Sequence, residues 1–439
     1  MNILILDEES TGLAFAMRCA DFDHSVRLWI PPEKTGDQSP IGKGIVERPA
    51  EWKYSIEWAH LIVMTGNASY RKEFQELLAE GLPVLGTCNE AREWEIDRVA
   101  GQQLFERFGI ETASYETFED FDKAIEFVRK ERTGFAIKPW GGAADKSLSF
   151  IAKTPQDVIF KLERWRDEGK VKGKFMLQEL IEGIEMGVSG WFGPGGWSRW
   201  IEEDWEEKRL MNDRLGPNTG EQGTTVRFTQ RSKLFKEVLE PLTEALDECG
   251  FVGNINVNCG IDTKGQPWPF ELTVRLGWPA FNIMLPLLQD DPAQWMLDLI
   301  NGRDTLELSE DVAVGVVVTH GDYPHHKLTL AEVSGFPLRG LSNRNSESVQ
   351  MQHVQIGKAP VDVGEKTEEK FGYVTAGSYA FVATGTGSTV KEASKRALRV
   401  AWDVEIGGAD RQFRTDIGKR LKKELPLLQT KGYALGVEY

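Results

Sequence analysis

Short apolar runs alternate with amphipathic stretches at the start of the chain. Strands are predicted at Asn2–Leu6, Leu61–Thr65 and Leu82–Gly86, and helices at Thr11–Ala20 and Arg71–Glu80. The predicted strands are continuously apolar, as is usual for strands that are covered on both faces. Alternation of strand and helix is typical of βαβ units, so residues 1–92 are predicted to form a Rossmann-like parallel sheet.

The alternation continues into the middle of the chain. Further helices are predicted at Arg92–Phe108 and Phe118–Glu131, and further strands at Gly134–Lys138 and Phe175–Ile181. Gly109 would end the first of these helices, because glycine readily follows a helix C-terminus. The tryptophan-rich stretch from Trp191 to Trp205 could form a stacking surface, but packing within strands is the preferred interpretation.

Polar residues at period two mark a predicted hairpin within residues 250–279. Its first strand sends three amides to one face, those of Asn254, Asn256 and Asn258. After a turn at 262–265, a strand from Phe270 to Leu276 sends three polar side chains to one face, those of Glu271, Thr273 and Arg275. Oxygen ligands suit Mg²⁺ and an arginine suits an oxyanion, so the hairpin could bind a metal-bound phosphate. A surface hairpin with one solvated face is the alternative.

Composition limits the classes of protein to consider. The chain has 439 residues, 41% of them hydrophobic, and a net charge of −16, the profile of a globular protein with several domains. The acidic balance argues against general binding to nucleic acid. No apolar run approaches the ~20 residues of a membrane span and no signal peptide opens the chain, so a cytoplasmic protein is expected. The four cysteines are scattered without a CxxC pair, which argues against a zinc site.

Three loops could carry chemistry. The loop from Asp7 to Gly12 holds three acids, so it is expected to repel the phosphate that a glycine-rich loop would bind. Residues 139–147 form a flap-like stretch with a lysine near each end, Lys138 and Lys146, and this stretch could fold over polyphosphate. The GPNTG segment at 216–220 could form an anion-binding nest or a plain surface turn.

Together these motifs resemble the ATP-grasp superfamily, and most closely the glycinamide ribonucleotide synthetase (phosphoribosylamine–glycine ligase) family. Lys138 and Lys146 stand at the spacing of the family's flap, and GPNTGxxG at 216–223 matches its motif outright. Arg98 stands where the family has a lysine. Segments 314–324 and 385–418 extend the resemblance over nearly the whole length.

The metal signature of the family is retained only in part. Glu271 and Arg275 are present, whereas Thr273 replaces an asparagine. The last two acids of the signature are replaced by Trp278 and Ala280. Asn258 stands where other ATP-grasp enzymes place their first metal acid and could compensate. The resemblance therefore implies a metal site that is weakened or rearranged, since two carboxylates hold Mg²⁺ better than one.

The resemblance implies three sets of site residues. The implied ATP ligands are Arg98, Lys138, Lys146, Gln178, Glu179 and Glu185, with Gln178 in place of a family acid. The implied substrate ligands are Lys208, Arg209, Gly216, Pro217, Asn218, Thr219, Gly220 and Arg275. The implied metal ligands are Glu271, Thr273 and Asn258. Arg275 and Lys146 are the implied catalytic residues.

The implied fold is a multidomain combination of α/β and α+β parts. An N-terminal parallel-sheet (pre-ATP-grasp) domain would cover 1–92, and an ATP-grasp domain pair 93–305 with a flap subdomain at about 113–186. A C-terminal mixed α+β domain would cover 306–439. The implied ligands are ATP, Mg²⁺ with Mn²⁺ as an alternative, a small amino acid, with glycine expected, and an amine acceptor, on a monomer or dimer.

The implied reaction joins glycine to 5-phosphoribosylamine through an acyl phosphate, with ATP giving ADP and phosphate. The acceptor region departs from the family at Asp7–Gly12 and at Thr65–Asn67, whereas the ATP side is largely retained. One alternative is therefore a ligase with another, less anionic amine acceptor, received by Glu8 or Glu9. A further alternative is an ATP-binding protein without turnover.

Overall fold

The computed structural model describes residues 1–32, 38–67, 71–139, 149–169, 171, 173–363 and 366–439. Lys146, with the rest of the predicted flap from 140 onward, lies outside the described residues. Among the helices that are described, none is long and apolar enough to cross a membrane.

A parallel sheet forms the N-terminal part. Its elements are β1 (Asn2–Leu6), α1 (Leu13–Asp21), β2 (Ser25–Trp29), β3 (Leu61–Met64), α2 (Arg71–Ala79) and β4 (Val84–Leu85). The strands lie in the order β2-β1-β3-β4. Ile3 and Ile5 pack into one hydrophobic cluster and Leu4 and Leu6 into another, because both faces of β1 are covered. The predicted parallel sheet is confirmed.

Asp97 divides one predicted helix into two. Helices α3 (Asn89–Ile96) and α4 (Arg98–Arg107) replace the single helix predicted at 92–108. The Asp97 backbone is extended, with φ −93° and ψ 102°, and its carboxylate accepts hydrogen bonds from the N–H groups of Val99 and Ala100. Asp97 therefore caps α4, and the prediction of one continuous helix is wrong at this residue.

A second, antiparallel sheet has its own core. Its elements are β5 (Tyr115–Phe118), α5 (Phe121–Glu131), β6 (Phe135–Pro139), β7 (Phe150–Ala152), α6 (Pro155–Glu168) and β8 (Phe175–Glu179). The strands lie in the order β5-β8-β6-β7. Ile137, Leu162 and Phe175 are buried in this core, which is separate from the main one. Lys138 and Gln178 lie at the ends of two of these strands.

The largest sheet carries most of the candidate site. Its strands are β9 (Gly183–Gly193), β10 (Gly196–Met211), β11 (Leu215–Thr229), β12 (Gly253–Asp262), β13 (Pro267–Thr273), β14 (Val312–His320), β16 (Val349–Met351), β19 (Tyr379–Gly387) and β21 (Arg411–Gln412). They lie in the order β13-β12-β9-β10-β11-β14-β19-β16, with β21 beside β14. The β11–β14 pairing carries the sheet across the domain boundary predicted at residue 305.

The remaining elements cover this sheet and extend the C-terminal part. Strands β15 (Ser334–Arg339), β17 (Val354–Val363), β18 (Lys366–Ala376) and β20 (Glu405–Ile406) form a small sheet in the order β17-β18-β15-β20. The helices are α7 (Lys233–Val238), α8 (Thr243–Glu248), α9 (Ala280–Met284), α10 (Gln294–Ile300), α11 (Val390–Asp403) and α12 (Leu421–Gln429). Short 3₁₀ helices lie at Trp52–Ser55, Asn212–Arg214, Glu240–Leu242, Leu285–Leu287, Leu330–Val333 and Ser346–Ser348.

The tryptophan-rich stretch belongs to the core of the large sheet. Trp191, Trp200 and Trp205 are buried. Trp191 also packs edge-on against Trp295 of α10, with ring centroids 4.8 Å apart. The core interpretation is therefore confirmed.

Candidate active site

The predicted hairpin forms, and it aligns its polar residues as period two requires. In the β12–β13 pair, Asn258 lies opposite Glu271 and Asn256 lies opposite Thr273. Residues directly opposite each other in a sheet share a face. The amides and the carboxylate therefore lie side by side.

The second strand of the hairpin was predicted to end at Leu276, and this prediction is wrong. β13 ends at Thr273, so Arg275 lies in the segment that follows. The N–H of Val274 donates to Oε2 of Glu95 at 2.9 Å, and its carbonyl accepts from the Thr87 hydroxyl. These contacts engage the backbone at Val274 with residues outside the sheet.

Glu271 lies among cations. One carboxylate oxygen is 2.5 Å from Nη1 of Arg98, and the other is 3.8 Å from Nζ of Lys208. Burial alone would raise the pKa of Glu271, but the charges of Arg98, Lys208 and Lys138 outweigh it and hold the pKa well below its usual range. Glu271 is therefore a carboxylate at neutral pH.

Lys138 reaches the same cluster from the second sheet. Its Nζ donates to Oε1 of Gln178 at 2.7 Å and to the carbonyl of Phe270 at 3.3 Å. Burial, together with the nearby charge of Arg98, lowers the pKa of Lys138 to about 8. Gln178 in turn donates to Oε1 of Gln102 at 3.2 Å, so a chain of side chains orients the lysine.

Asn258 connects the hairpin to two acids. Its Nδ2 donates to Oε1 of Glu185 and to Oε2 of Glu206, each at 2.9 Å. Glu206 also pairs with Nζ of Lys208 at 2.7 Å. The amide nitrogen makes both of these bonds. Oδ1 of the same side chain is buried and has no hydrogen-bond partner in the described part of the chain.

Arg275 is held by carboxylates from two elements. Its Nε is 3.2 Å from Oε1 of Glu95 in α3, and its Nη1 is 3.3 Å from Oε2 of Glu9, in the loop after β1. Burial would lower the pKa of Arg275, but Glu95 and Glu9 raise it, so the side chain stays charged. The N-terminal acidic loop and the hairpin arginine are therefore in direct contact.

The part of the chain that makes these contacts is similar in sequence to known proteins. A family model described as phosphoribosylglycinamide synthetase, ATP-grasp (A) domain, matches residues 97–280, the range that holds Arg98, Lys138, Glu271 and Arg275. A phosphoribosylamine–glycine ligase from Halalkalibacterium halodurans is 28% identical over 96% of this chain and 97% of its own length. Residues 97–280 therefore match the ATP-grasp domain of phosphoribosylglycinamide synthetase, and the chain is similar to a phosphoribosylamine–glycine ligase over nearly its whole length.

The family likeness extends to longer proteins and to solved structures. A trifunctional purine biosynthetic protein, adenosine-3, from Drosophila pseudoobscura pseudoobscura is 27% identical over 79% of this chain, which spans only 25% of that protein. The crystal structure of a phosphoribosylamine–glycine ligase from Thermotoga maritima has a TM-score of 0.70 at 20% identity, covering 95% of this chain and all of its own. The shared fold supports the multidomain architecture inferred from the motifs.

The segment predicted to bind substrate lies in a long hairpin. Lys208 and Arg209 lie near the end of β10, and Gly216–Gly220 lies near the start of β11. Nη1 of Arg209 donates to the carbonyl of Gly216 at 2.9 Å, and the Thr219 hydroxyl donates to the carbonyl of Lys208 at 2.8 Å. Apart from Gly216, whose φ is +79°, the segment is strand and mostly exposed, so neither the predicted nest nor the predicted turn is formed.

The two remaining implied ATP ligands have different surroundings. Glu179 is exposed at the end of β8, where its N–H donates to the carbonyl of Ser114 at 2.9 Å. Glu185 lies beside Asn258 and is 3.7 Å from Nη2 of Arg214. The ligand roles of both residues remain predictions.

The donor set fits a divalent cation that also binds substrate phosphates. Glu271 is ionised, and Oδ1 of Asn258 on the neighbouring strand, which has no hydrogen-bond partner in the described part of the chain, would supply a second oxygen. Within the described ranges, no group of three or more His, Cys, Asp or Glu side chains could hold a metal ion by itself. Mg²⁺ often keeps few protein ligands and takes the rest from phosphate and water.

Three site residues were missed by sequence reasoning. Glu206 lies two residues before Lys208 on one strand, so the period-two pattern could have placed it on the same face. Glu95 and Gln102 carry no such signal, because they reach the site from helices that are distant in sequence from the hairpin.

Proposed function

We propose that this protein is an ATP-dependent carboxylate–amine ligase that activates a small amino acid, with glycine expected, and joins it to an amine that carries no phosphate group. The ATP-grasp domain and the ligase relatives support the reaction class. The observation that carries the choice of acceptor is the position of Asp7.

The nucleotide would bind beside the cation cluster. Arg98, Lys138 and Lys208 surround the single carboxylate of Glu271, and this excess of positive charge suits a polyphosphate. Mg²⁺ held by Glu271 and Asn258, with Thr273 beside them, would neutralise charge on the transferred phosphoryl group. Lys146 would close over the phosphates as part of the flap.

Arg275 would bind the carboxylate that is to be activated. A carboxylate oxygen forms a bond to the γ-phosphorus of ATP, and the bond from that phosphorus to the bridging oxygen breaks to release ADP. The acyl phosphate that results is an oxyanion, which a guanidinium binds well. The position of Arg275 directly after the hairpin supports this role.

Glu9 would take the proton in the second step. The amine nitrogen attacks the carbonyl carbon, phosphate leaves with its electron pair, and one proton must leave the nitrogen. Oε2 of Glu9 is 3.3 Å from Nη1 of Arg275, so its carboxylate lies beside the expected acyl group. Burial raises the pKa of Glu9, with further contributions from Glu95 and Asp7, which makes it a better base.

Asp7 occupies the place where a phosphate would bind. Its carboxylate accepts hydrogen bonds from the N–H groups of Thr11 at 3.0 Å and Gly12 at 2.8 Å, in front of α1. Backbone N–H groups in the loop that leads into a helix are a common phosphate site. The Thr65 hydroxyl also donates to Asp7 at 2.8 Å, and the side chain is fully buried. A phosphorylated amine would have to displace this buried acid, so an unphosphorylated amine is the better acceptor.

The test is ADP release by the full chain with Mg·ATP and glycine. Freshly generated 5-phosphoribosylamine is compared with a panel of unphosphorylated primary amines, and Glu271→Gln serves as the inactive control. Turnover on unphosphorylated amines, with little on 5-phosphoribosylamine, is the expected result. Efficient turnover on 5-phosphoribosylamine would overturn the choice of acceptor, and no ADP with any amine would overturn the ligase assignment.

Two variants of Asp7 refine the test. Asp7→Ala frees the N–H groups of Thr11 and Gly12, so it should increase use of the phosphorylated amine relative to the wild type. Asp7→Asn keeps a hydrogen-bond acceptor at the same place and should not. Equal behaviour of the two variants would contradict the proposed exclusion of phosphate.

A further inference from the structure

A small cavity lies next to the β12–β13 hairpin. It is far smaller than the usual sites for drug-sized ligands. Its polar lining comes from three strands, through Ser189, Glu202, Asn254 and Asn256. Its other wall includes Leu276 and Gly277, which directly follow Arg275, and Phe281 of α9. The cavity therefore suits a small polar group close to the activated carboxylate.

Two buried acids lack complete partners: Glu202 lines the cavity, and Asp204 lies two residues further along the same strand, next to the lining residue Asn256. Glu202 is 5% exposed and Asp204 is 1% exposed. Oε1 of Glu202 and Oδ1 of Asp204 have no hydrogen-bond partner within the described part of the chain. The other oxygen of Asp204 accepts from Nδ2 of Asn256 at 2.9 Å. Buried carboxylates are costly unless they are paired or neutralised, so these two require an explanation.

The sheet register places both acids on the same face as Asn258 and Glu271. Asp204 lies opposite Gly187, which lies opposite Asn258, and Asn258 lies opposite Glu271. Glu202 belongs to the next row on the same face, ~7 Å along the strand. Gly187 leaves room over Asp204, since a Cβ at residue 187 would lie only 2.3 Å from Oδ1 of that acid. The acids and the hairpin thus share one continuous polar face.

We propose that this cavity binds a protonated primary amine of a substrate, with Glu202 and Asp204 as its counterions. The inference rests on the proposed function, because the same substrate would place its reacting group near Arg275 and Glu271. An ammonium group donates three hydrogen bonds, and its positive charge would balance the negative charge of the two carboxylates.

The ammonium has two possible sources. It is either the α-ammonium of the activated amino acid or a second, unreacting ammonium of the acceptor amine. Both sources share the chemistry of a small aliphatic cation, and the choice of probes can separate them.

Binding measured by calorimetry on the full chain tests the inference without requiring turnover. The probes are glycine, its neutral-head analogue glycolate, methylamine and ethane-1,2-diamine, each with and without a non-hydrolysable ATP analogue. Glu202→Gln and Asp204→Asn should weaken binding of the cationic probes by about tenfold or more, because a charge-assisted hydrogen bond is lost. Glycolate binding should be unchanged.

Glu203→Gln is the matched control. Glu203 is the neighbouring buried acid on the opposite face of β10, and Arg227 and Ser232 already satisfy it. This variant should lower the melting temperature without changing cation binding. Glu202→Gln should keep or raise the melting temperature, because it removes an incompletely paired buried acid, while cation binding falls.

The outcomes separate this inference from the proposed function. Loss of glycine binding alone in Glu202→Gln assigns the ammonium to the amino acid, and loss of diamine binding alone assigns it to the acceptor. Unchanged cation affinity in both Glu202→Gln and Asp204→Asn would overturn the cavity assignment even in an active ligase. Cation binding that depends on Glu202 in a protein without ADP release would support the cavity while the ligase assignment fails.

Discussion

Lys138 illustrates how the charge of one side chain depends on its surroundings. Burial and the nearby charge of Arg98 lower its pKa to about 8, whereas bound phosphate would favour its charged form. If Lys138 binds the phosphates of ATP as proposed, binding above pH 8 requires uptake of a proton. We expect the ATP affinity to fall as pH rises above 8, by at most about tenfold per pH unit.

Calorimetric titration of ATP between pH 7 and 9.5, in two buffers of different ionisation enthalpy, measures both the affinity and the proton uptake. Lys138→Arg is the control, because its guanidinium stays charged over this range. A pH dependence that persists unchanged in Lys138→Arg would assign the titration to another group.

Replacement of Glu271 is predicted to raise the affinity for metal-free ATP and to lower turnover with Mg·ATP. Glu271→Gln removes the anion shared by Arg98 and Lys208, so the affinity for metal-free ATP should rise. The same change removes the carboxylate of the proposed metal site, so turnover with Mg·ATP should fall by about 100-fold or more. ATP titration in EDTA and steady-state ADP release test the two expectations.

Glu182→Gln removes the same charge at an exposed position and serves as the control for Glu271→Gln. It should change neither quantity. A fall in metal-free ATP affinity in Glu271→Gln would show that the carboxylate supports nucleotide binding in some other way.

The sequence predicts some of these residues and not others for a physical reason. Asn258 and Glu271 could be placed together, because period two within a strand fixes the face and the turn fixes the register. Glu95 could not be placed beside Arg275, since that contact depends on how α3 docks against the hairpin. The loop that holds Asp7 was expected to repel phosphate, but the hydrogen bonds of Asp7 to the N–H groups of Thr11 and Gly12 could not be read from its position alone.

Asp97 is predicted to stabilise the start of α4 as its N-cap. Asp97→Ala removes the acceptor for the N–H groups of Val99 and Ala100, and unfolding free energy should fall by about 1 kcal/mol. Urea unfolding followed by circular dichroism measures this change. Asp97→Asn keeps an acceptor and should lose much less. Since Arg98 begins α4, a modest loss of ATP affinity should accompany the alanine variant only.

The ends of elements were harder to predict than their existence. The apolar alternation of the second hairpin strand continues through Leu276, which predicted a longer strand than β13. The structure ends the strand earlier because Glu95 and Thr87 bond the backbone of Val274. Similarly, a helical pattern spans Asp97, but its carboxylate competes for the backbone N–H groups and starts a new helix.

At the scale of the whole molecule, the N-terminal sheet is attached to the ATP-grasp part near the site. The N–H of Gly86 donates to the carbonyl of Val252 at 2.9 Å, and His24 lies 2.9 Å from Asp291. These contacts hold the loop that carries Asp7 and Glu9 against the hairpin. Activation of the carboxylate and entry of the amine can therefore occur at one boundary between the two parts.

This arrangement predicts that Glu9 affects only the second half of the reaction. In Glu9→Gln, acyl phosphate formation should continue, because Glu95 still holds Arg275. Transfer to the amine should fall by about 100-fold or more, since the proton acceptor is lost. Hydroxylamine intercepts acyl phosphates without needing a base, so hydroxamate formation reports the first step and amide formation reports the second.

Glu95→Gln provides the contrast. Glu95 contacts both Arg275 and the N–H of Val274, so its loss should displace the arginine and slow hydroxamate and amide formation together. If Glu9→Gln also slowed both products equally, Glu9 would only position Arg275, and the proton would have to leave by another route. If neither product changed, the contact between the acidic loop and the hairpin would hold the two parts together without taking part in the chemistry.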